Sequence, residues 1–222
     1  IMNGKLIVIE GTDGSGKATQ AQLLAERLKK EGQEAIIFDF PQYEDFFGRL
    51  IGDYLNNRFG DATKVDPYLV SMLYAADRWK AKENIKEALN SGKMVICNRY
   101  VQSSMAHQGS KIDEEKRSSF ISWIENLEYN QYNIPRPDLV IILYVPVEIS
   151  QKLVDMKQKR NYTEQKRDGH ESNVAYLKKT AELYKYLSDI KKWELIDCTK
   201  DGKIMSKEEI NEKIYGKTSN LL

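Results

Sequence analysis

Residues 11 to 17 read Gly-Thr-Asp-Gly-Ser-Gly-Lys and sit between an apolar run and a helical pattern. Three glycines and a lysine at this spacing match a phosphate cradle, in which main-chain N–H groups and the positive end of a following helix face an anion. The context agrees. Lys5-Leu6-Ile7-Val8-Ile9-Glu10 is rich in β-branched residues, as a buried parallel strand requires, and Ala18, Ala21, Leu24, Ala25 and Leu28 recur at helical spacing. An ordinary glycine-rich turn would need neither the lysine nor these flanks. The cradle residues Gly11, Thr12, Asp13, Gly14, Ser15, Gly16, Lys17, Ala18 and Thr19 are therefore expected to hold a nucleoside triphosphate, with Lys17 at its terminal phosphates. The eighth position departs from the template: Ala18 stands where a Ser or Thr hydroxyl would ligate a metal ion, and Thr19 is turned away from it by about 100° of helix.

The rest of the chain alternates strand and helix, which predicts a parallel sheet covered on both faces. Strands are predicted at 5–10, 35–40, 93–98, 139–145 and 194–197. Helices are predicted at 17–31, 46–58, 66–91, 101–109, 113–130, 147–159, 170–190 and 206–215. Gly32 and Gly92 are expected to stop the first and third helices. No repeat or linker divides the 222 residues, so one domain spanning 1–222 is expected. The net charge of +1 supplies no basic field for nucleic acid, and no apolar run reaches membrane-spanning length. Cys97 and Cys198 end predicted strands without metal-ligand spacing and read as buried free thiols in a reducing compartment, so a cytoplasmic location is expected.

In such sheets ligands gather beyond the carboxyl ends of the strands. Asp13, Pro41-Gln42-Tyr43 and Asn98-Arg99-Tyr100 all lie there. Arg99 would either clamp a phosphate with its guanidinium fork or be a loop arginine. Tyr74 and Arg78, four apart on the long third helix, form either a base platform or a core residue beside a snorkelling arginine. Ser103 and Ser104 could read a base edge. His107 alone reads more readily as structural than catalytic. The basic run of Lys157, Lys159, Arg160, Lys166 and Arg167 is either a solvated face or a closing lid. No nucleophilic triad is present, and phosphoryl transfer needs none. No Asn-Lys-x-Asp guanine-reading motif supports a regulatory GTPase.

Together, Glu10 to Lys17, Phe40-Pro41, Leu73 to Trp79, Arg99-Tyr100 and Ser103 to Gly109 resemble the thymidylate kinase family of nucleoside monophosphate kinases, over roughly residues 4 to 215. The resemblance implies an α/β, P-loop NTPase-type three-layer fold with a five-stranded parallel sheet of order 2-3-1-4-5, a lid at about 157–168 and a homodimer. It implies transfer of the γ-phosphoryl of ATP to dTMP with Mg²⁺. By position it implies Asp13 at the sugar or the metal, Phe40, Pro41, Ser103 and Ser104 lining the acceptor site, Tyr74 stacked on thymine, Arg78 bonded to its carbonyl edge, Arg99 on the acceptor phosphate and His107 against the sugar. Arg160 or Arg167 would be the transition-state cation, and Asp168 and Glu171 would reach metal-bound water. Three positions depart from the family pattern: Ala18, Asn98 in place of an aspartate before Arg99, and Gln42-Tyr43 in place of an arginine after Phe-Pro, for which Arg49 is a replacement candidate. The alternatives are a kinase for another (deoxy)nucleoside monophosphate or for a deoxynucleoside, and a nucleotide binder of low turnover.

Overall fold

The computed structural model describes residues 4–156 and 173–222. Arg160, Arg167, Asp168 and Glu171, and with them the predicted lid, lie outside the described residues. Five strands, β1 (Lys5–Gly11), β2 (Ala35–Asp39), β3 (Met94–Asn98), β4 (Leu139–Tyr144) and β5 (Glu194–Asp197), form one parallel sheet in the order β2-β3-β1-β4-β5. All five fall within a residue of the predicted boundaries, and the order is the one the family resemblance implied.

Alternation along β1 shows why the sheet is covered on both sides. Leu6 and Val8 enter a core with residues from helices α3 (Pro67–Asn90), α4 (Val101–Gly109), α5 (Glu114–Glu125) and α7 (Val174–Lys191). Ile7 and Ile9 enter a second core with α1 (Lys17–Lys30) and α8 (Lys207–Thr218). A central strand with both faces buried must be apolar at every position, which is what the run Leu6–Ile9 shows. Helices α2 (Phe46–Leu55) and α6 (Val147–Met156) complete the set. Gly32 and Gly92 follow α1 and α3 at φ 82° and 81°, as predicted. Asp66 caps α3 by accepting from the N–H groups of Tyr68 and Leu69 at 2.9 and 3.0 Å.

Two differences from the sequence reading have local causes. The predicted helix 113–130 is α-helical only to Glu125 and continues as a π-helical turn over Asn126–Gln131, which carries Glu128 into the interior. Thr199–Lys200 and Lys203–Ile204 pair as a small antiparallel hairpin, β6–β7, that was not predicted. Its strands are too short and charged for an alternation signal, but its turn is Asp201-Gly202 with φ 51° and 72°, the Asp-Gly hairpin signature.

Candidate active site

The β1–α1 turn forms a closed loop with Gly14 at φ 82° and Gly16 at φ 86°, a conformation that favours glycine. The two glycines serve different ends. A Cβ on Gly14 would lie 2.3 Å from the Ser150 carbonyl oxygen, so Gly14 lets α6 close on the loop. A Cβ on Gly16 would meet no atom within 4 Å, so this glycine faces the open side of the cradle. Lys17 is buried and donates from Nζ to the Thr12 carbonyl at 2.9 Å. The hydroxyls of Thr12 and Ser15 are buried and have no hydrogen-bond partner among the described residues. Buried donors without partners are costly, and a loop that presents two of them beside main-chain amides suits a polyphosphate. Ala18 and Thr19 are exposed at the start of α1.

A cavity opens beside this loop. Of the predicted acceptor residues, Asp13, Pro41, Tyr74, Arg99, Ser103, Ser104 and His107 line it. Tyr43, one of the departures from the family pattern, lines it as well, together with Leu55 and Gln108, for which the sequence reading gave no role. Arg49 is not among the lining residues and donates to the Glu44 carbonyl at 2.5 Å. Phe40 is buried against Tyr100 in the core beneath the cavity, with ring centroids 6.0 Å apart.

Arg99 joins loop and cavity. It follows β3 in the left-handed conformation at φ 66°, uncommon for a residue with a side chain. Its guanidinium is ion-paired with Asp13 and donates to Ser103 Oγ at 3.3 Å and His107 Nε2 at 3.3 Å. Burial works against its charge, but Asp13, Tyr184 and Glu10 hold it firmly protonated. A guanidinium can only donate, so His107 Nε2 accepts and the ring proton sits on Nδ1. Nδ1 then donates to Tyr176 Oη at 3.1 Å, while that hydroxyl donates to the His107 carbonyl at 3.1 Å. This set of partners suits an imidazole with its proton on Nδ1.

Arg78 does not reach the cavity. It is 1% exposed and forms a two-bond fork with Glu128, Nε to Oε2 and Nη2 to Oε1, both at 2.6 Å. Its remaining bonds run to the Tyr100 carbonyl at 3.2 Å and to Ser104 Oγ at 2.8 Å. The expected contact to a base edge is therefore replaced by a contact through Ser104, which does line the cavity. The fork explains the burial: burial pushes the Glu128 carboxyl up and opposes the Arg78 charge, and each partner offsets this cost for the other. The sequence offered no sign of Glu128, 50 residues away.

A second buried carboxylate organises the same wall. Glu10, the penultimate residue of β1, has no exposed surface and accepts from the N–H groups of Tyr100 and Ser103 at 2.7 and 3.0 Å. It also accepts from Ser103 Oγ at 2.6 Å and Tyr184 Oη at 2.8 Å. It thereby caps the first turn of α4 from another strand and fixes the residue after Arg99. A lone Glu closing an apolar strand was the available signal.

The thymidylate kinase family model matches residues 9–210. The chain belongs to the thymidylate kinase family. A probable thymidylate kinase from Pyrococcus abyssi is 40% identical over 67% of this chain and 69% of its own length. A probable thymidylate kinase from Methanocaldococcus jannaschii is 32% identical over 100% of this chain and 99% of its own length. The solved structure of a thymidylate kinase from Candida albicans superposes with a TM-score of 0.74, covering 98% of this chain and 93% of that one; at 22% identity this likeness shows the fold. Within this thymidylate kinase fold, loop and cavity meet at Asp13 and Arg99. No helix among the described residues is long and apolar enough to cross a membrane.

Proposed function

We infer that the site moves the γ-phosphoryl of ATP onto the 5′-phosphate of dTMP, giving dTDP and ADP. The observation that carries this reading is the position of Arg99, which touches Asp13 of the cradle and Ser103 and His107 of the cavity with one planar group. The cradle amides, the Thr12 and Ser15 hydroxyls and Lys17 bind the donor polyphosphate. Tyr74, set edge-on to Tyr54 at 6.4 Å, offers its ring to the acceptor base, and Ser104 reads the base edge with its orientation fixed by Arg78. Arg99 holds the acceptor phosphate, so that one of its oxygens attacks the γ-phosphorus as the bond to the bridging β–γ oxygen breaks. Positioning and charge compensation do the work, without covalent chemistry by the protein. Charge neutralisation by Arg160 or Arg167 rests on family grounds alone.

The magnesium ion that travels with ATP fits this chain in one manner. Ala18 has no hydroxyl, and no group of three His, Cys, Asp or Glu among the described residues could cage a metal. Oxygen acceptors at the strand ends, including a buried Asn98 Oδ1 without a partner among the described residues, suit a cation that keeps its waters and is held mainly by phosphate oxygens. When bound, the ion neutralises charge on the transferring group. Asp13 faces the same mouth, while Asp168 and Glu171, the metal contacts that the resemblance implies, lie outside the described residues.

Leu69, Met72 and Trp79 are exposed on one face of α3, which supports a homodimer through this helix; sedimentation of the unaltered protein against Leu69→Glu tests it. The function itself is tested by coupled ADP release over a panel of nucleoside monophosphates with Mg²⁺ titrated. The expected outcome is highest turnover with dTMP, and faster turnover of an acceptor other than dTMP or dUMP overturns it. Ala18→Thr is expected to raise the rate or lower the Mg²⁺ requirement.

A further inference from the structure

The carboxyl ends of β2 and β3 carry a side-chain pair of which the scheme above uses only the Asn98 oxygen. Asp39 and Asn98 are register partners in the parallel sheet, and Asn98 in turn pairs with Ile9. Paired residues of neighbouring strands project to one face. Ile9 belongs to the core under α1, so Asp39 and Asn98 project to the side of the sheet where α1 begins with Lys17. Asn98 Nδ2 donates to Asp39 Oδ1 at 2.7 Å. A carboxylate requires a donor, which fixes the amide orientation and leaves Asn98 Oδ1 as an acceptor. That oxygen is buried, on a residue only 8% exposed, and has no partner among the described residues. Asp39 stays open to solvent, yet its crowded recess pushes the carboxyl upward, against the charges of Arg99 and Lys17 that both reach it.

Two hard oxygens at one mouth, one anionic and one an orphaned amide acceptor, ask for a donor that carries positive charge. Lys17 and Arg99 do not meet the need at Asn98 Oδ1, which both leave without a hydrogen bond. Water molecules on a divalent cation are such donors: they are polarised by the ion and can hydrogen-bond to a carboxylate and an amide together. We propose that Asp39, held by Asn98, receives the metal-bound waters of the divalent cation that accompanies the donor nucleotide, and so supplies the oxygen contact that Ala18 lacks. The inference rests on the phosphoryl-transfer reading of the same mouth. It moves the acidic group from β3, where the resemblance placed it, to the neighbouring strand β2, with Asn98 as the residue that aims it.

The test uses Mn²⁺ as the probe, read by electron paramagnetic resonance as the affinity of the protein–ATP complex for the ion. ATP affinity without metal is measured alongside. In Asp39→Asn and in Asp39→Ser, Mn²⁺ affinity is expected to fall about tenfold, the effect typical of losing an outer-shell partner. Metal-free ATP affinity is expected to stay equal or to rise, because a negative charge has left the neighbourhood of the phosphates. The exchange of Asp39→Asn with Asn98→Asp restores the carboxylate–amide pair across the same two strands and is expected to recover most of the lost affinity. Mn²⁺ affinity within twofold of the unaltered protein, a parallel loss of metal-free ATP affinity, or an exchange variant as weak as Asp39→Asn overturns the inference alone. Failure of the unaltered protein to bind ATP at all overturns the phosphoryl-transfer reading, and this inference with it.

Discussion

The donor cradle and the acceptor cavity lie side by side and are built on opposite plans. The cradle is seven consecutive residues, proposed to bind through their backbone and fixed by glycines and by the start of one helix. The cavity is assembled from the segments that follow β1, β2 and β3 and from α2, α3 and α4, and is held by buried and part-buried charge: Glu128 on Arg78, Glu10 on the α4 amides, Asp13 on Arg99. Backbone amides bind any polyphosphate and tolerate varied side chains. A cavity that must distinguish one base needs side chains in fixed orientations, and it obtains them from partners far away in sequence. Generality can be local, whereas discrimination has to be long-range.

If this contrast holds, damage to the long-range ion pairs reaches acceptor use and stability together while leaving the cradle intact. Glu128→Gln leaves Arg78 buried without its carboxylate and is expected to lower stability by about 3–5 kcal/mol, read as a shifted urea midpoint. The apolar double replacement Arg78→Met with Glu128→Leu should lose much less, since neither charge then lies unpaired. In both, KM for dTMP should rise while ATP affinity holds; an equal loss of ATP affinity would dissolve the distinction. Arg99→Ala is expected to reduce kcat/KM for dTMP by about 10²–10³ with little change in ATP binding, and Arg99→Lys to recover little, because an ammonium cannot reproduce the planar fork.

The cradle can be probed from within. Gly14→Ala and Gly16→Ala each force a side chain into the left-handed region, at about 1–2 kcal/mol. Only the first also drives a Cβ onto the Ser150 carbonyl. Gly14→Ala should therefore show the larger loss in thermal stability, and Gly16→Ala the larger loss of ATP affinity relative to its stability. The smallest effect concerns Lys111, which donates to Tyr54 Oη and the Ala62 carbonyl and whose pKa is lowered to about 8, mainly by burial. Between about pH 8 and the ordinary lysine range the unfolded chain binds more protons there than the folded one, so stability should rise with pH across that window. Lys111→Met should lack this rise in paired denaturation curves at both ends of it.

The same contrast decides what could be read from the residues. The cradle, the five strands and the stops at Gly32 and Gly92 were legible because each is written in a short contiguous stretch. Strand order was not derivable from alternation and came from the family resemblance. Tyr74, Arg99 and Ser103 were legible as positions after strands or on one helix face, whereas His107 read as structural and was placed at the cavity only through the family resemblance. Arg78 was not, because its environment is decided by Glu128 on a π-helical turn that no periodicity announces. Glu10 stood in plain view without a role, since its four donors come from Tyr100, Ser103 and Tyr184. The β6–β7 hairpin had a usable signal in Asp201-Gly202, masked by strands of two residues.

The backbone of Arg99 bears on how such a chain tolerates sequence drift. At φ 66° the residue sits where glycine would rest more comfortably. Selection for foldedness and selection for turnover thus pull this codon in contrary directions. A lineage released from the need to phosphorylate would relax its backbone by losing this side chain, at the cost of the ion pair to Asp13 and the bonds to Ser103 and His107.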